Sequence, residues 1–310
     1  MKNIIVYTHM PNFEFTDGGT VVEYLLAKTL EEFGQNVRIY PSSGKKTTNY
    51  IFSKFYNNDF PIDDNAVVIY CEGTKGNPLN AKNVVRWMLS KLGQNVSYNN
   101  LKTWGKDELV YYFNTEEKLT NNPDKIDNIY KLLTVIFINP MINNYNLNPR
   151  KGTCFTIRKS KKIHVKTKKT VHPPNSFEVT RKHTQIDYIK IFNKYRYFIS
   201  YDPLTFLSVI AALCGCISIV VKIDGLSKQD WLNTTAAAQY LKESGENTLY
   251  GIAYGRDDIQ NAINTLHLAK EQWSRIVKNS KDNHIVRFIN DINNFNNNIN
   301  TIKNNFFVNY

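Results

Sequence analysis

Asn3-Ile4-Ile5-Val6-Tyr7-Thr8, then a polar loop with Gly18-Gly19, then Val21, Leu25, Leu26 and Leu30: this stretch decides the fold class. A short apolar run closed by polar residues reads as a strand buried on both faces, as in a parallel sheet. The aliphatic residues after it recur at helical spacing, and Gly34 stops that helix. Asn36 to Tyr40 reads as a second strand and Ala66 to Cys71 as a third. Ala81 to Leu92 is amphipathic and is predicted to be a helix ending at Gly93, with Asn80 as its N-cap. Leu109 to Phe113 and Leu133 to Asn139 complete the strand series. Strands alternating with helices imply βαβ units and a parallel sheet, whose ligands sit beyond the carboxyl ends of the strands.

The polar, Pro-bounded segment from Asn139-Pro140 to Pro149 reads as a linker, after which the pattern restarts. Thr153 to Arg158, Tyr197 to Tyr201, Ile217 to Val221 and Thr248 to Ala253 are the expected strands. Gln185 to Tyr195, Leu204 to Leu213 and a long stretch from Asp257 to about Lys278 are the expected helices. The fold class is therefore α/β, with two Rossmann-like domains facing a cleft. Residues 1–145 and 150–280 are the expected domains. In residues 281–310, Ile285, Phe288, Ile289, Ile292 and Phe295 at helical spacing predict a terminal helix that crosses back to the first domain.

Of the 310 residues, 42% are apolar, 13% aromatic and 21% charged, a composition that builds a core and excludes a disordered tail. The formal charge of +12 favours an acidic partner: nucleic acid, an anionic membrane surface or a phosphate-bearing molecule. Much of the excess lies between Arg158 and Lys169. No stacking aromatics interleave there, which argues against nucleic acid. The spacing of Cys71, Cys154, Cys214 and Cys216 suits neither a zinc knuckle nor a small disulfide framework. Buried thiols in a reducing compartment follow, hence a cytoplasmic protein with at most peripheral membrane contact. The apolar run at Ile4 is too short for a secretory signal. The run from Phe206 to Val221 is short of a span of about 20 residues and is broken at Cys214-Gly215-Cys216.

Four constellations carry candidate chemistry. His9 follows the first strand, and Asp17-Gly18-Gly19-Thr20 opens the first helix, where backbone can approach an anion or a hydroxyl-rich group. An ordinary Gly-bearing turn explains the same residues, and the three-glycine dinucleotide spacing is absent. Glu72-Gly73 and Gly76-Asn77-Pro78-Leu79-Asn80 follow the third strand and place a carboxylate where a base would face a ligand. A capped turn with a solvated Glu is the competing explanation. Arg158-Lys159 end the first strand of the second unit, a two-pronged donor beside a point charge, suited to a diphosphate. The lysines beyond read as a solvated or membrane-facing loop. Asp202 ends another strand, Pro203 fits the first turn of the next helix, and Thr205 and Ser208 can receive a phosphate. A plain Asp N-cap before a Pro-started helix is the alternative.

The run Tyr70-Cys71-Glu72 through Gly76-Asn77-Pro78-Leu79-Asn80 to Val84-Val85-Arg86-Trp87 resembles a segment of GT-B glycosyltransferases, in which a proline usually stands where Cys71 is. Phe198-Ile199-Ser200-Tyr201-Asp202 through Ala211, Ala212 and Gly215 is similar to the donor-binding helix of that superfamily. There, two acidic residues lie eight positions apart. Asp202 matches the first and Ile210 stands at the second, so the carboxylate contact to the donor ribose is missing or supplied elsewhere. Arg158-Lys159 matches the pair set against the donor diphosphate, whereas Ser160 to Arg181 replaces a regular strand–helix unit.

The resemblance implies transfer of a sugar from a nucleotide-diphosphate sugar, of the UDP class, to a glycan, glycolipid or glycoprotein hydroxyl. It implies no cofactor and no metal, with Arg158, Lys159, Asp202, Thr205 and Ser208 toward the donor. Gly18, Gly19 and Asn77 fall on the acceptor or phosphate loops, and His9 and Glu72 are candidates for activating the acceptor. A sugar-nucleotide epimerase of the same fold and a non-catalytic binder of nucleic acid or anionic lipid remain open.

Overall fold

The computed structural model describes residues 2–9, 18–42, 52, 54–56, 61–90, 93, 96–114, 131–146, 149–157 and 170–295. The chain forms two compact units: Met1–Ile136 with Lys278–Tyr310, and Phe137–Val277. Each is α/β and built on a parallel, Rossmann-like sheet.

The first unit holds β1 (Asn3–Thr8), β2 (Asn36–Pro41), β3 (Val67–Cys71), β4 (Asn83–Met88), β5 (Leu109–Tyr112) and β6 (Lys131–Leu132). They lie in the order β2-β1-β3-β4-β5-β6, all parallel. Ile4 pairs with Val67 and Val68 with Val84, so the apolar runs stack across the sheet centre. Helix α1 (Gly18–Glu32) follows β1 and buries Leu25, Leu26 and Leu30.

The segment expected to be a helix over 81–92 is instead the central strand β4, and every residue of it is buried. A helix hides one stripe, whereas a central strand hides both faces, and a short apolar run suits either. Packing decided for the strand. Residues 72–82, which join β3 to β4, carry turns rather than a helix. The connection from β4 to β5 holds a 3₁₀ turn, Tyr98–Thr103, capped by the Ser97 side chain.

Arg86, fully buried in the middle of β4, ties these connections together. Its Nε and Nη2 donate to the Glu108 carboxylate at 2.7 and 2.9 Å. Nη1 donates to the Thr74 carbonyl at 3.1 Å and Nη2 to the Gly76 carbonyl at 2.6 Å. The guanidinium also lies 5.0 Å from the Tyr70 ring and 5.1 Å from the Trp104 ring.

The C-terminal stretch of this unit packs beside β5 and β6. After a π-helical turn, Ser280–Ile285, the last described helix Val286–Asn293 buries Phe288 and Ile292. Asp291 accepts from Tyr111 Oη at 2.7 Å and Lys131 Nζ at 2.6 Å.

The second unit holds β7 (Thr153–Thr156), β8 (Phe177–Glu178), β9 (Tyr197–Ser200), β10 (Ile217–Val220) and β11 (Ile252–Tyr254). They are parallel, in the order β11-β10-β9-β7-β8. Helix α2 (Gln185–Lys194) starts with a capping box: Thr184 N–H donates to Asp187 and Asp187 N–H to Thr184 Oγ1. Helix α3 (Leu207–Leu213) begins later than expected, because Pro203 sits in a turn ahead of it. Gly215, at φ +84°, ends the α3 turn, where a Cβ would lie 2.6 Å from Asn144 Nδ2. Two helices the sequence reading did not anticipate, α4 (Lys228–Thr234) and α5 (Ala238–Ser244), fill the connection to β11. The long helix expected from Asp257 is split into α6 (Ile259–Thr265) and α7 (Ala269–Asn279) by a 3₁₀ turn at Leu266–Leu268.

The Arg86–Glu108 pair generates the first prediction. Glu108→Ala strands a buried guanidinium and lowers stability by about 3–5 kcal/mol in urea denaturation. Asp64→Ala, which breaks the Lys82 pair whose side chains are 64% and 86% exposed, changes stability by less than about 1 kcal/mol.

Candidate active site

At the carboxyl edge of the first sheet, β1 ends on Thr8, whose hydroxyl donates to Glu23 Oε2 at 2.7 Å. His9 comes next, on the exposed side of that edge. Its Nε2 lies 3.0 Å from Thr74 Oγ1, and its ring stands edge-on to Tyr7 at 5.8 Å. Partial burial lowers the His9 pKa, and the charge of Glu72 pulls it back up. The imidazole is therefore neutral near pH 7. Cys71 shares Thr74 Oγ1, with Sγ at 3.9 Å. Burial above all, with the Glu23 and Glu72 charges behind it, pushes that thiol well up, so it stays protonated.

Glu72 is not the solvated side chain that the sequence allows; it is 6% exposed. Oε2 accepts from Leu89 N–H at 2.9 Å and Oε1 from the Ser90 hydroxyl. Its backbone carbonyl takes Asn100 Nδ2 at 2.8 Å. Both carboxylate oxygens are thus spent on the residues leaving β4. Asn77 is similarly committed to its own turn: Oδ1 accepts from Tyr70 Oη and Ala81 N–H, and Nδ2 donates to the Ala81 carbonyl. Gly18 and Gly19 form the first turn of α1 rather than a loop before it.

The carboxyl edge of the second sheet carries a cavity of about 210 Å³, lined by Lys222, Leu226, Ser227, Lys228, Tyr254, Asp257 and Asp258. Lys222 pairs with Asp257 at 2.7 Å and Lys228 with Asp258 at 2.9 Å. The hydrogen bond from Lys222 holds the Asp257 carboxyl below its usual range. Tyr254 Oη accepts from Ile223 N–H at 3.2 Å and donates to the Leu226 carbonyl at 3.0 Å, which pins the loop after β10. Trp231 stacks on the Tyr254 ring at 5.0 Å, and its indole N–H reaches the Pro203 carbonyl at 2.9 Å. The turn after β9 is thereby joined to the cavity wall. Gly255 sits at φ +87°, and a Cβ there would lie 2.5 Å from Lys222 Cε.

Asp202, 7% exposed, accepts from Leu204 N–H at 3.3 Å, so it caps the turn it opens. Thr205 Oγ1 accepts from Leu207 N–H at 3.3 Å and starts α3. Ser208 is buried within α3, and its hydroxyl has no hydrogen-bond partner among the described residues. Ile210 lies buried on the same helix. Arg158, Lys159, the lysines from Lys161 to Lys169, and Asp17 lie outside the described residues. His172 stacks flat on Phe155 at 3.6 Å, with Nδ1 2.8 Å from Tyr201 Oη.

The sequence reading missed Thr74, His172, Tyr254, Lys222, Lys228, Asp257 and Asp258. Position after a strand was the one usable signal, and it pointed to Lys222 and Asp257. The same signal covers Tyr254, the last residue of β11, whereas Thr74, His172, Lys228 and Asp258 depend on loop paths that no periodicity encodes. Among the described residues, no group of three or more His, Cys, Asp or Glu is placed to hold a metal ion. Nor is any helix among them long and apolar enough to cross a membrane.

No family model matches the chain, and no curated protein matches it. Among solved structures, it is similar to T4 phage BGT in complex with UDP and Mn2+, at 12% identity, covering 98% of this chain and 99% of that chain, with a TM-score of 0.44. It is likewise similar to T4 phage BGT in complex with its UDP-glucose substrate, at 12% identity and the same coverage of both chains, with a TM-score of 0.45. The fold class itself rests on the strand order and register described above.

The electrostatics of His9 are directly measurable. In an NMR titration its imidazole protonates below the ordinary value of about 6.5. Glu72→Gln keeps an acceptor for Leu89 N–H but removes the charge, and the midpoint moves further down. An upward shift in that variant contradicts the sign assigned to Glu72.

Proposed function

We propose that the chain is a glycosyltransferase that moves a sugar from a nucleotide-diphosphate sugar, of the UDP class, to a hydroxyl of a glycan, glycolipid or glycoprotein. The observation that carries this reading is the cavity beyond the carboxyl ends of β10 and β11, where parallel sheets hold their ligands. Its volume, about 210 Å³, suits one ring of a donor rather than the whole molecule. Lysines suit phosphate oxygens, and carboxylates accept from ribose or sugar hydroxyls.

Asp257 and Asp258 offer the carboxylate that the GT-B resemblance expects at Ile210, which is buried in α3 and cannot serve. Arg158 and Lys159 take the diphosphate. They follow β7, whose Thr156 is in register with Ser200, two residues before Asp202. Thr205 and Ser208 complete the donor side, Thr205 by ordering the start of α3 and Ser208 by a hydroxyl with no hydrogen-bond partner among the described residues.

The first unit takes the acceptor, near His9 and the glycines that open α1. His9 is the base, because it is neutral and accessible, whereas Glu72 has both oxygens engaged and acts on His9 through its charge. Asn77 shapes its loop without touching the acceptor. A second reading, non-catalytic binding of a polyanion, is favoured by the net charge of +12.

Calorimetry and transfer assays separate these readings, with UDP-glucose as the first donor tried. Arg158→Ala weakens donor binding about tenfold to a hundredfold, as expected for a lost charge-assisted hydrogen bond. Removing several lysines beyond Lys161 together changes it little. His9→Gln leaves donor affinity near wild type and slows transfer by about 10²–10⁴-fold. Wild-type transfer by His9→Gln removes His9 as the base. Conversion of the donor without an acceptor makes the protein an epimerase. Steep salt dependence carried by the lysine cluster, with no donor binding, makes it a polyanion binder.

A further inference from the structure

Thr74 lies directly after the Glu72-Gly73 turn and is 2% exposed. Both of its backbone polar groups are held: the N–H donates to the Cys71 carbonyl at 3.1 Å, and the carbonyl accepts from Arg86 Nη1 at 3.1 Å. Its hydroxyl is therefore a fixed point at the carboxyl edge of the sheet. The His9 ring meets it through Nε2 at 3.0 Å. That ring sits between the edge contact to Tyr7 and the bare Cα of Gly73, where a Cβ would lie 3.5 Å from Nε2.

Nε2 is occupied by Thr74 Oγ1 whichever atom carries the hydrogen. A proton from an acceptor hydroxyl can then reach only Nδ1, and Nδ1 has a free lone pair only when Nε2 bears the hydrogen. The Thr74 hydrogen has its own outlet, since Cys71 Sγ lies 3.9 Å from the same oxygen. We infer that Thr74 is a positioning residue, whose hydroxyl oxygen accepts the His9 Nε2–H and leaves Nδ1 as the basic nitrogen.

This rests on His9 being the base of the proposed transfer. In that step the acceptor oxygen bonds the anomeric carbon and its proton passes to Nδ1. The bond from that carbon to the diphosphate oxygen breaks, and the electron pair leaves on the diphosphate. The ring becomes imidazolium, with Nε2–H still on Thr74 and the Glu72 charge favouring it.

The tautomer is read by long-range ¹H–¹⁵N NMR on the whole labelled protein, without substrate. The wild type and Thr74→Ser show protonation on Nε2; Thr74→Val, nearly the same shape without the oxygen, loses that preference. Transfer falls roughly tenfold to a hundredfold in Thr74→Val, between the cost of a hydrogen bond and that of a wrong tautomer, and Thr74→Ser restores it. A wild-type ring protonated on Nδ1 overturns the inference, whether or not the protein transfers sugar. So does a tautomer that Thr74→Val leaves unchanged. If the expected tautomers appear but the wild type transfers no sugar, Thr74 keeps its positioning role and the proposed function fails alone.

Discussion

A guanidinium with no access to water must find a counter-charge and acceptors for its N–H groups, and in the first unit that requirement organises the loops. Arg86 meets it with the Glu108 carboxylate, the carbonyls of Thr74 and Gly76, and the rings of Tyr70 and Trp104. Those partners come from β3 and the turn after it, the residue that ends the 3₁₀ turn, and the residue before β5. Satisfying one side chain fixes the connections on both sides of β4 at once. Hydrophobic residues of the same volume would cost less to bury, but they would not specify where a carbonyl must point. The Thr74 carbonyl is one of those pointed groups, so the hydroxyl that meets His9 inherits its position from β4.

This pair also explains where sequence reading failed. Strand and helix alternation was legible because strands buried on both faces leave unbroken apolar runs, as at Ile4 to Tyr7 or Val67 to Tyr70. Ala81 to Leu92 contains the same residue types at a spacing that a helix also satisfies. Arg86 within it reads as the polar face of an amphipathic helix. Only Glu108, distant in sequence and adjacent in space, makes an arginine acceptable inside a central strand. The split of the helix expected after Asp257 has a comparable origin. Gly251, at φ +75°, brings backbone so close to Leu266 that a Cβ there would lie 2.7 Å from its side chain, and the helix tightens to a 3₁₀ turn at that contact.

The positions of the candidate site residues were legible to the extent that they follow strands. His9, Glu72 and Asp202 all lie at carboxyl ends of parallel strands, as their sequence positions required. What each side chain does there was not legible. Glu72 reads as a candidate base, yet it spends its oxygens on Leu89 and Ser90. Asp202 reads as a ligand contact and caps its own turn. A carboxylate after a strand meets the unpaired N–H groups of neighbouring loops first, and which of them come within reach is a property of the folded chain.

The ion pairs around the cavity of the second unit bear on how it would take a donor. Two lysines facing two aspartates leave its lining close to neutral, so the chain's excess of positive charge is not what this cavity offers. An exposed pair such as Lys222–Asp257 is worth little by itself, because water serves both partners almost as well. A phosphate oxygen arriving at Lys222 replaces one anionic partner with another of greater charge. The Asp257 carboxylate it displaces is then free to accept hydrogen bonds from hydroxyls on the same ligand. On the proposed reading, binding converts an internal pairing into two ligand contacts at small cost. A ligand with a phosphate but no nearby hydroxyl gains only the first of these and leaves a carboxylate without its lysine.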